Sequence, residues 1–228
     1  MSDIFFKFPT TPHLVTLGGV DIRSDKVMSD VEREAFLQHD LVVEEKVDGS
    51  NIGISFSVEG SLKVQNRGDY LQLPASGQWK KLDEWLHLHA ERLFDHLIDQ
   101  YILFGEWCYA KHSIFYNQLP DWFLGFDIYD KIIGRFLSTI RRDRFLESMN
   151  IAGVPVIAHG RFRLADLKDL LSQSKLGDQP AEGLYLRIDH GEWLEQRAKL
   201  VRPQFIQTLE EHWSRYSITP NRLRELLG

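Results

Sequence analysis

A single cysteine, Cys108, stands in 228 residues. It has no partner in the chain for a disulfide, and no zinc site can be built from clustered cysteines, so a reducing compartment, the cytoplasm, is the expectation. Long apolar runs are missing too. Nowhere do about 18 apolar residues stand together, and the opening MSDIFFKFPTTPHLVTLGGV lacks a basic start followed by an apolar stretch, so no membrane association is expected. Positive charge is in deficit: 27 Lys and Arg against 33 Asp and Glu leave a net −6, which argues against holding nucleic acid by bulk charge alone. Any basic surface must be local. No GxxxxGKS/T loop supports a Walker-type kinase, and neither a GxSxG elbow nor His-rich metal spacing occurs. No linker, repeat or low-complexity stretch divides the chain, so residues 1–228 read as one domain.

What is present suits a sizeable buried core, with 43% hydrophobic and 26% charged residues. Pro9, Pro12 and Gly18-Gly19 mark an extended opening, and the acidic first turn of 29–39 predicts a short helix. LVVEEKV (41–47), NIGISFSV (51–58) and LKVQN (62–66), separated by Asp48-Gly49 and Glu59-Gly60, predict an antiparallel meander. Leu82, Trp85, Leu86, Leu93 and Leu97 recur at helical spacing within 77–99. Buried strands come next at 101–109 and 122–130, then helices after Ser138-Thr139 and near 163–173, and strands at 183–188 and 197–201. The tail 203–228 carries Phe205, Ile206, Leu209, Trp213, Leu223, Leu226 and Leu227 and reads as one or two closing helices. Strands and helices intersperse without strict alternation, which predicts an α+β fold of antiparallel sheets flanked by helices.

Lys46-Val-Asp48-Gly49-Ser-Asn51 places an amine at the end of a buried strand, with Gly49 for a sharp turn. Alone, the pattern reads first as a hairpin with a surface lysine. Its meaning comes from five further motifs, in this order along the chain: Asn66-Arg67-Gly68, then Phe104-Gly105-Glu106, Phe126 within FLGFDIYD, Glu182-Gly183-Leu-Tyr-Leu-Arg187, and Arg197-Ala-Lys199. Charged residues in apolar strands are costly unless paired or used.

This ordered set resembles the six motifs of the covalent nucleotidyltransferases, the ATP-dependent DNA and RNA ligases and mRNA capping enzymes. Within them it is most similar to the nick-sealing branch of the RNA ligases, which carry Asn where DNA ligases and capping enzymes usually carry Arg, here Asn51. The resemblance covers about residues 40–202. It implies a ligase-type nucleotidyltransferase domain, here with no separate OB domain, in which Lys46 is the nucleophile and Asp48, Asn51 and Lys199 are catalytic. It further implies that Arg67 binds the 5′-phosphate side, Glu106 is a ribose or metal carboxylate and Phe126 the face on which adenine stacks. Glu45 would contribute backbone contacts to adenine, Glu182 a metal carboxylate, and Arg187, Arg197 and Lys199 phosphate contacts. ATP, Mg²⁺ or Mn²⁺, and RNA with 5′-phosphate and 3′-hydroxyl ends are the implied cofactors and partner, and RNA repair the implied setting. The family's last motif usually has two lysines around one residue; here the first is Arg197.

A lysine that attacks phosphorus must be deprotonated, and at an ordinary pKa of ~10.4 only about one in a thousand is so at pH 7. The expectation is therefore a depressed Lys46, with Lys199, Arg197 and a metal as the nearby cations. Other residues carry weaker signals. Lys111 and His112 are read evenly as RNA or pyrophosphate contacts or as a solvated loop; His13, Asp25 and Lys26 as structural or surface residues; Trp107, Trp122, Trp193 and Trp213 as core or interface aromatics; Cys108 as a small core hydrophobe. Arg141, Arg142 and Arg144 read as a solvated helix face, or else as one turned to nucleic acid. Ligases of this kind usually carry a clamping domain after the Lys199 motif, and 26 residues follow Arg202, so efficient self-adenylylation with slow sealing of a plain nick, helped by a partner protein, is the expectation. If the tail itself binds RNA, Arg215, Arg222 and Arg224 are the residues to do it. The rival readings are a minimal DNA ligase, a nucleotide- or RNA-end-binding module without sealing, and transfer of AMP to a protein.

Overall fold

Ser29 accepts from the Glu32 amide while Glu32 accepts from the Ser29 amide, a capping box that starts α1 (Asp30–Leu37) where the acidic turn predicts it. The computed structural model describes residues 5–18, 27–206 and 218–225. Asp25, Lys26, Leu209, Trp213, Arg215, Leu226 and Leu227 lie outside the described residues. Two antiparallel sheets carry the fold. The first takes β1 (Leu41–Lys46), β7 (Val156–Gly160), β8 (Gly183–His190) and β9 (Trp193–Val201) in the order β7-β1-β8-β9. The second takes β2 (Ser50–Phe56), β3 (Leu62–Gln65), β4 (Tyr101–Trp107), β5 (Phe123–Asp130) and β6 (Arg135–Phe136) in the order β3-β2-β4-β5-β6. The α+β expectation holds.

The apolar stripe of α2 (Leu82–Leu97) buries Leu82, Trp85, Leu86, Leu93 and Leu97 in one cluster with Ile52, Ile54 and Leu103 of β2 and β4. On the first sheet, Leu41, Val43, Leu184, Leu186, Ala198 and Leu200 share a cluster with Phe36 of α1 and Leu167 of α4 (Leu164–Asp169). The helix after Ser138 is α3 (Thr139–Ser148), and α4 is shorter than the 163–173 expected.

The meander forms only in part. β2 and β3 pair, with Gly53 opposite Gln65, but β1 and β2 belong to different sheets. Both edges of β1 are taken, by β7 and by β8, which leaves no edge for β2. A tight two-residue hairpin would also favour positive φ at its central residues, and neither Asp48 nor Gly49 has it. β7, half-buried at the sheet's edge and preceded by Pro155, gave no sequence signal. In the tail, Pro203–Ile206 is helical, α5, as expected, whereas among the described residues 218–225 is not, with Leu223 bridged to Leu119.

Candidate active site

The chain crosses from one sheet to the other between Lys46 and Ser50, and that crossing makes the site. Gly49 is required by proximity rather than by turn geometry: a Cβ there would lie 2.7 Å from the Trp107 carbonyl oxygen and 2.9 Å from Glu106 Cγ. Its amide donates to Glu106 Oε1 at 3.1 Å, and Asn51 stands opposite Glu106 across β2 and β4. A cavity of about 480 Å³, within the range of small-molecule sites, opens at this junction. Lys46, Tyr185 and Lys199 line it from the first sheet, and Asn51, Glu106 and Phe126 from the second, with Arg67 just after β3. The Asn66 side chain accepts from the Gly68 and Asp69 amides, fixing the turn that presents Arg67.

Sequence reasoning missed one wall. Lys7, Phe8, Pro9, Thr10 and Thr11 also line the cavity. Gln65 Nε2 donates to the Phe6 carbonyl at 2.7 Å and Phe6 stacks on Tyr129 at 3.8 Å, while Lys199 exchanges backbone bonds with Pro12 and Leu14. The opening segment thus spans both sheets, and Phe8 meets Phe126 edge-on at 5.4 Å. Its prolines mark an extended chain, but nothing local names a partner so distant in sequence.

Lys46 Nζ lies 2.6 Å from Glu182 Oε2, with the lysine side chain 24% exposed. Burial pulls its pKa down, but Glu182, Glu106 and Asp48 outweigh burial and hold the ammonium above its ordinary value. The expected depression is therefore absent from this state. Arg197, one of the cations meant to supply it, is bound to Asp127 instead. Glu106 is pushed up from 4.5 to about 7, by burial first, with Glu182 and Asp48 adding to it and Lys46 and Arg67 opposing. The folded state then holds this proton where the unfolded chain has lost it, so the stability contribution falls as pH rises from 4.5 to about 7 and stays lost above. Glu106→Gln, which still accepts from Gly49, is expected to raise unfolding stability at pH 8 by up to about 3 kcal/mol and to change it little near pH 4.5, measured by urea unfolding.

Several site candidates are placed elsewhere. Arg187 is fully buried, 2.7 Å from Asp127, and does not reach the cavity; Arg197 joins the same Asp127 at 2.8 Å and lies over the Phe136 ring. Arg142 is fully buried against Glu44 at 2.6 Å, so the run 141–144 is not one solvated face. Arg142 and Arg187 both donate to the carbonyl of Phe126, at 2.8 and 3.2 Å, and so fix the backbone of the ring that faces the cavity. The Glu45 carboxylate accepts from Ser174 and the Lys175 amide, and its own amide donates to Pro155, so Glu45 borders the cavity with these groups committed. Asp48 Oδ2 accepts from the Ser113 and Ile114 amides. His112 lies beside Gln78 and Ser50, and Lys111 is exposed. His13 is buried beside Lys199, Trp107 and Cys108 are buried in the core, and half-buried Trp193 lies between Arg135 and Arg141.

Among the described residues no three His, Cys, Asp or Glu side chains form a preassembled metal site. Glu106 and Glu182 nonetheless fit a hard divalent cation: both are oxygen donors whose pKa values burial raises, and Mg²⁺ commonly takes one or two carboxylates and completes its shell with substrate phosphates and water.

Residues 39–201 match the family model described as RNA ligase. No curated protein matches the chain. Solved structures of a Naegleria gruberi RNA ligase share its fold. A lysine-to-methionine variant with AMP and Mn is 16% identical with a TM-score of 0.64, covering 93% of this chain and 60% of that one. A lysine-to-alanine variant with ATP and Mn is 18% identical with a TM-score of 0.61, over 76% and 53%. The chain thus spans little more than half the length of these relatives.

Proposed function

The chain belongs to the RNA ligase family, and from that premise we propose that it is an ATP-dependent RNA ligase working through a lysyl-AMP intermediate. The observation that carries the reading is the convergence of Lys46, Glu106, Glu182, Arg67, Phe126 and Lys199 on one junction between sheets. On this reading residues 1–228 act as one nucleotidyltransferase unit.

Lys46 Nζ attacks the α-phosphorus of ATP, forming a P–N bond as the α–β phosphoanhydride breaks and pyrophosphate leaves. Glu182, already at 2.6 Å, is placed to accept the ammonium proton. Mg²⁺ or Mn²⁺ at Glu106 and Glu182 would neutralise charge on the transferring phosphate and screen the carboxylates that keep Lys46 protonated. Arg67 and Lys199 supply fixed positive charge. AMP next passes to an RNA 5′-phosphate, and a 3′-hydroxyl displaces it as the strands join. RNA is the preferred polynucleotide because Asn51, opposite Glu106, stands where the DNA ligases usually carry Arg. With a net charge of −6 the chain makes few phosphate contacts, and a partner protein supplies part of the RNA binding.

Labelled ATP with nicked RNA and nicked DNA duplexes side by side tests the proposal. AMP-labelled protein and sealed RNA are expected; sealing of DNA alone makes it a minimal DNA ligase, and labelling without sealing a module that has lost the later steps. Phe126→Ala is expected to raise the KM for ATP by an amount equivalent to about 1–3 kcal/mol of lost stacking. An unchanged KM with a lowered melting temperature would make Phe126 ordinary core.

A further inference from the structure

Between 218 and 225 the tail lies along the loop 108–119. The Lys111 amide donates to the Thr219 carbonyl, and the Arg222 and Arg224 amides donate to the carbonyls of Tyr116 and Leu119, each at 2.8 Å. Asn221 is the centre of this contact and only 3% exposed. Its Nδ2 donates to the carbonyls of Cys108 at 2.8 Å and Ala110 at 3.3 Å, and its Oδ1 accepts from the Tyr116 amide at 2.9 Å. Its own amide donates to the Tyr109 carbonyl at 2.9 Å. A loop lacks a sheet's ladder, so one buried carboxamide satisfying three of its backbone groups stands in for it.

The same loop grips the crossing that bears Lys46. Asp48 Oδ2 accepts from the amides of Ser113 at 2.7 Å and Ile114 at 2.9 Å, and the Asp48 amide donates to the Tyr116 hydroxyl at 2.8 Å. Tyr116, fully buried, is therefore held by Asn221 at its backbone and holds Asp48 through its ring. Asp48 is two residues from Lys46.

We propose that Asn221 is a positioning residue for the nucleophile: through Tyr116 and the 113–114 amides it fixes Asp48 and with it the strand end that aims Lys46. The inference rests on the adenylylation reading and adds to it a residue outside the 39–201 stretch that matches the family.

Two readouts test it. In Asn221→Ala, amide exchange at Ser113, Ile114 and Tyr116 is expected to accelerate while core amides of β4 and β8 stay protected. The rate constant for lysyl-AMP formation at saturating ATP is expected to fall by about 10- to 100-fold, the scale of a nucleophile misplaced by about an ångström, with KM for ATP moving less than threefold. Combined with Asp48→Ala the loss should not multiply, because both act through one loop; combined with Phe126→Ala, and compared as the rate constant over KM, it should. Tyr116→Phe, which keeps the packing and removes only the hydroxyl, should show the same pattern at smaller size. Unchanged exchange at 113–116, or a melting temperature that drops while the rate per folded molecule stays at wild type, would overturn the proposal. Wild-type protein that takes no label would overturn the proposed function instead, and exchange at Ser113 and Ile114 would still decide whether Asn221 holds the loop.

Discussion

Protein carrying Lys46→Ala is expected to take up no adenylyl group from ATP and Mn²⁺, a loss of about 10³-fold or more read by intact mass. Lys46→Arg should be equally inert for a different reason. A guanidinium keeps positive charge opposite Glu182 but is not deprotonated at workable pH, so the ion pair survives and the nucleophile does not. The two variants separate chemistry from folding. Alanine leaves Glu182, with a side chain only 13% exposed, facing Glu106 and Asp48 without its ammonium, so its melting temperature should fall below that of the arginine variant. Normal labelling of either protein would move the nucleophile elsewhere.

Asp127→Ala is expected to be the most damaging single change to stability. Asp127 is fully buried and pairs with Arg187 at 2.7 Å and Arg197 at 2.8 Å; Arg187 is itself fully buried. Removing the carboxylate leaves Arg187 with Glu44 and Asp189, each at 4.0 Å, and the carbonyls of Phe126 and Leu137. An uncompensated buried charge of this kind costs about 3–5 kcal/mol, a large part of the 5–15 kcal/mol that typically holds a domain together. A drop of about 10–15 °C in melting temperature is the expected reading. A drop below about 3 °C would mean that Glu44 and Asp189 take over the whole compensation.

Charged residues in apolar strands were the signal that made both the site and this network legible, and the signal has two meanings. Lys46, Glu106 and Lys199 reach the cavity; Arg187, Arg197 and Asp127 are paired with one another and do not line it. One-dimensional pattern cannot choose between these outcomes, because the choice depends on which face of a strand meets an opposite charge from far along the chain. The crossing at Asp48-Gly49 misleads for a related reason. It has hairpin chemistry, and only the occupation of both edges of β1 by strands from residues 156 and 183 onward keeps β2 away. Periods within one element were read reliably, as in the stripe from Leu82 to Leu97, because a helix reports its own buried face.

The passage of the chain from one sheet to the other has a mechanical consequence. Lys46 is anchored in the first sheet and the Phe126 ring in the second, so on the proposed mechanism AMP bonded to the lysine and stacked on the ring would fasten the two halves of the fold together, by a bond at one end and by stacking at the other. On the proposed cycle, reaction with ATP would set this fastening and transfer of AMP to RNA would release it. On that cycle the two sheets would be fastened and released once per turnover, with chemical modification of a single side chain as the clasp.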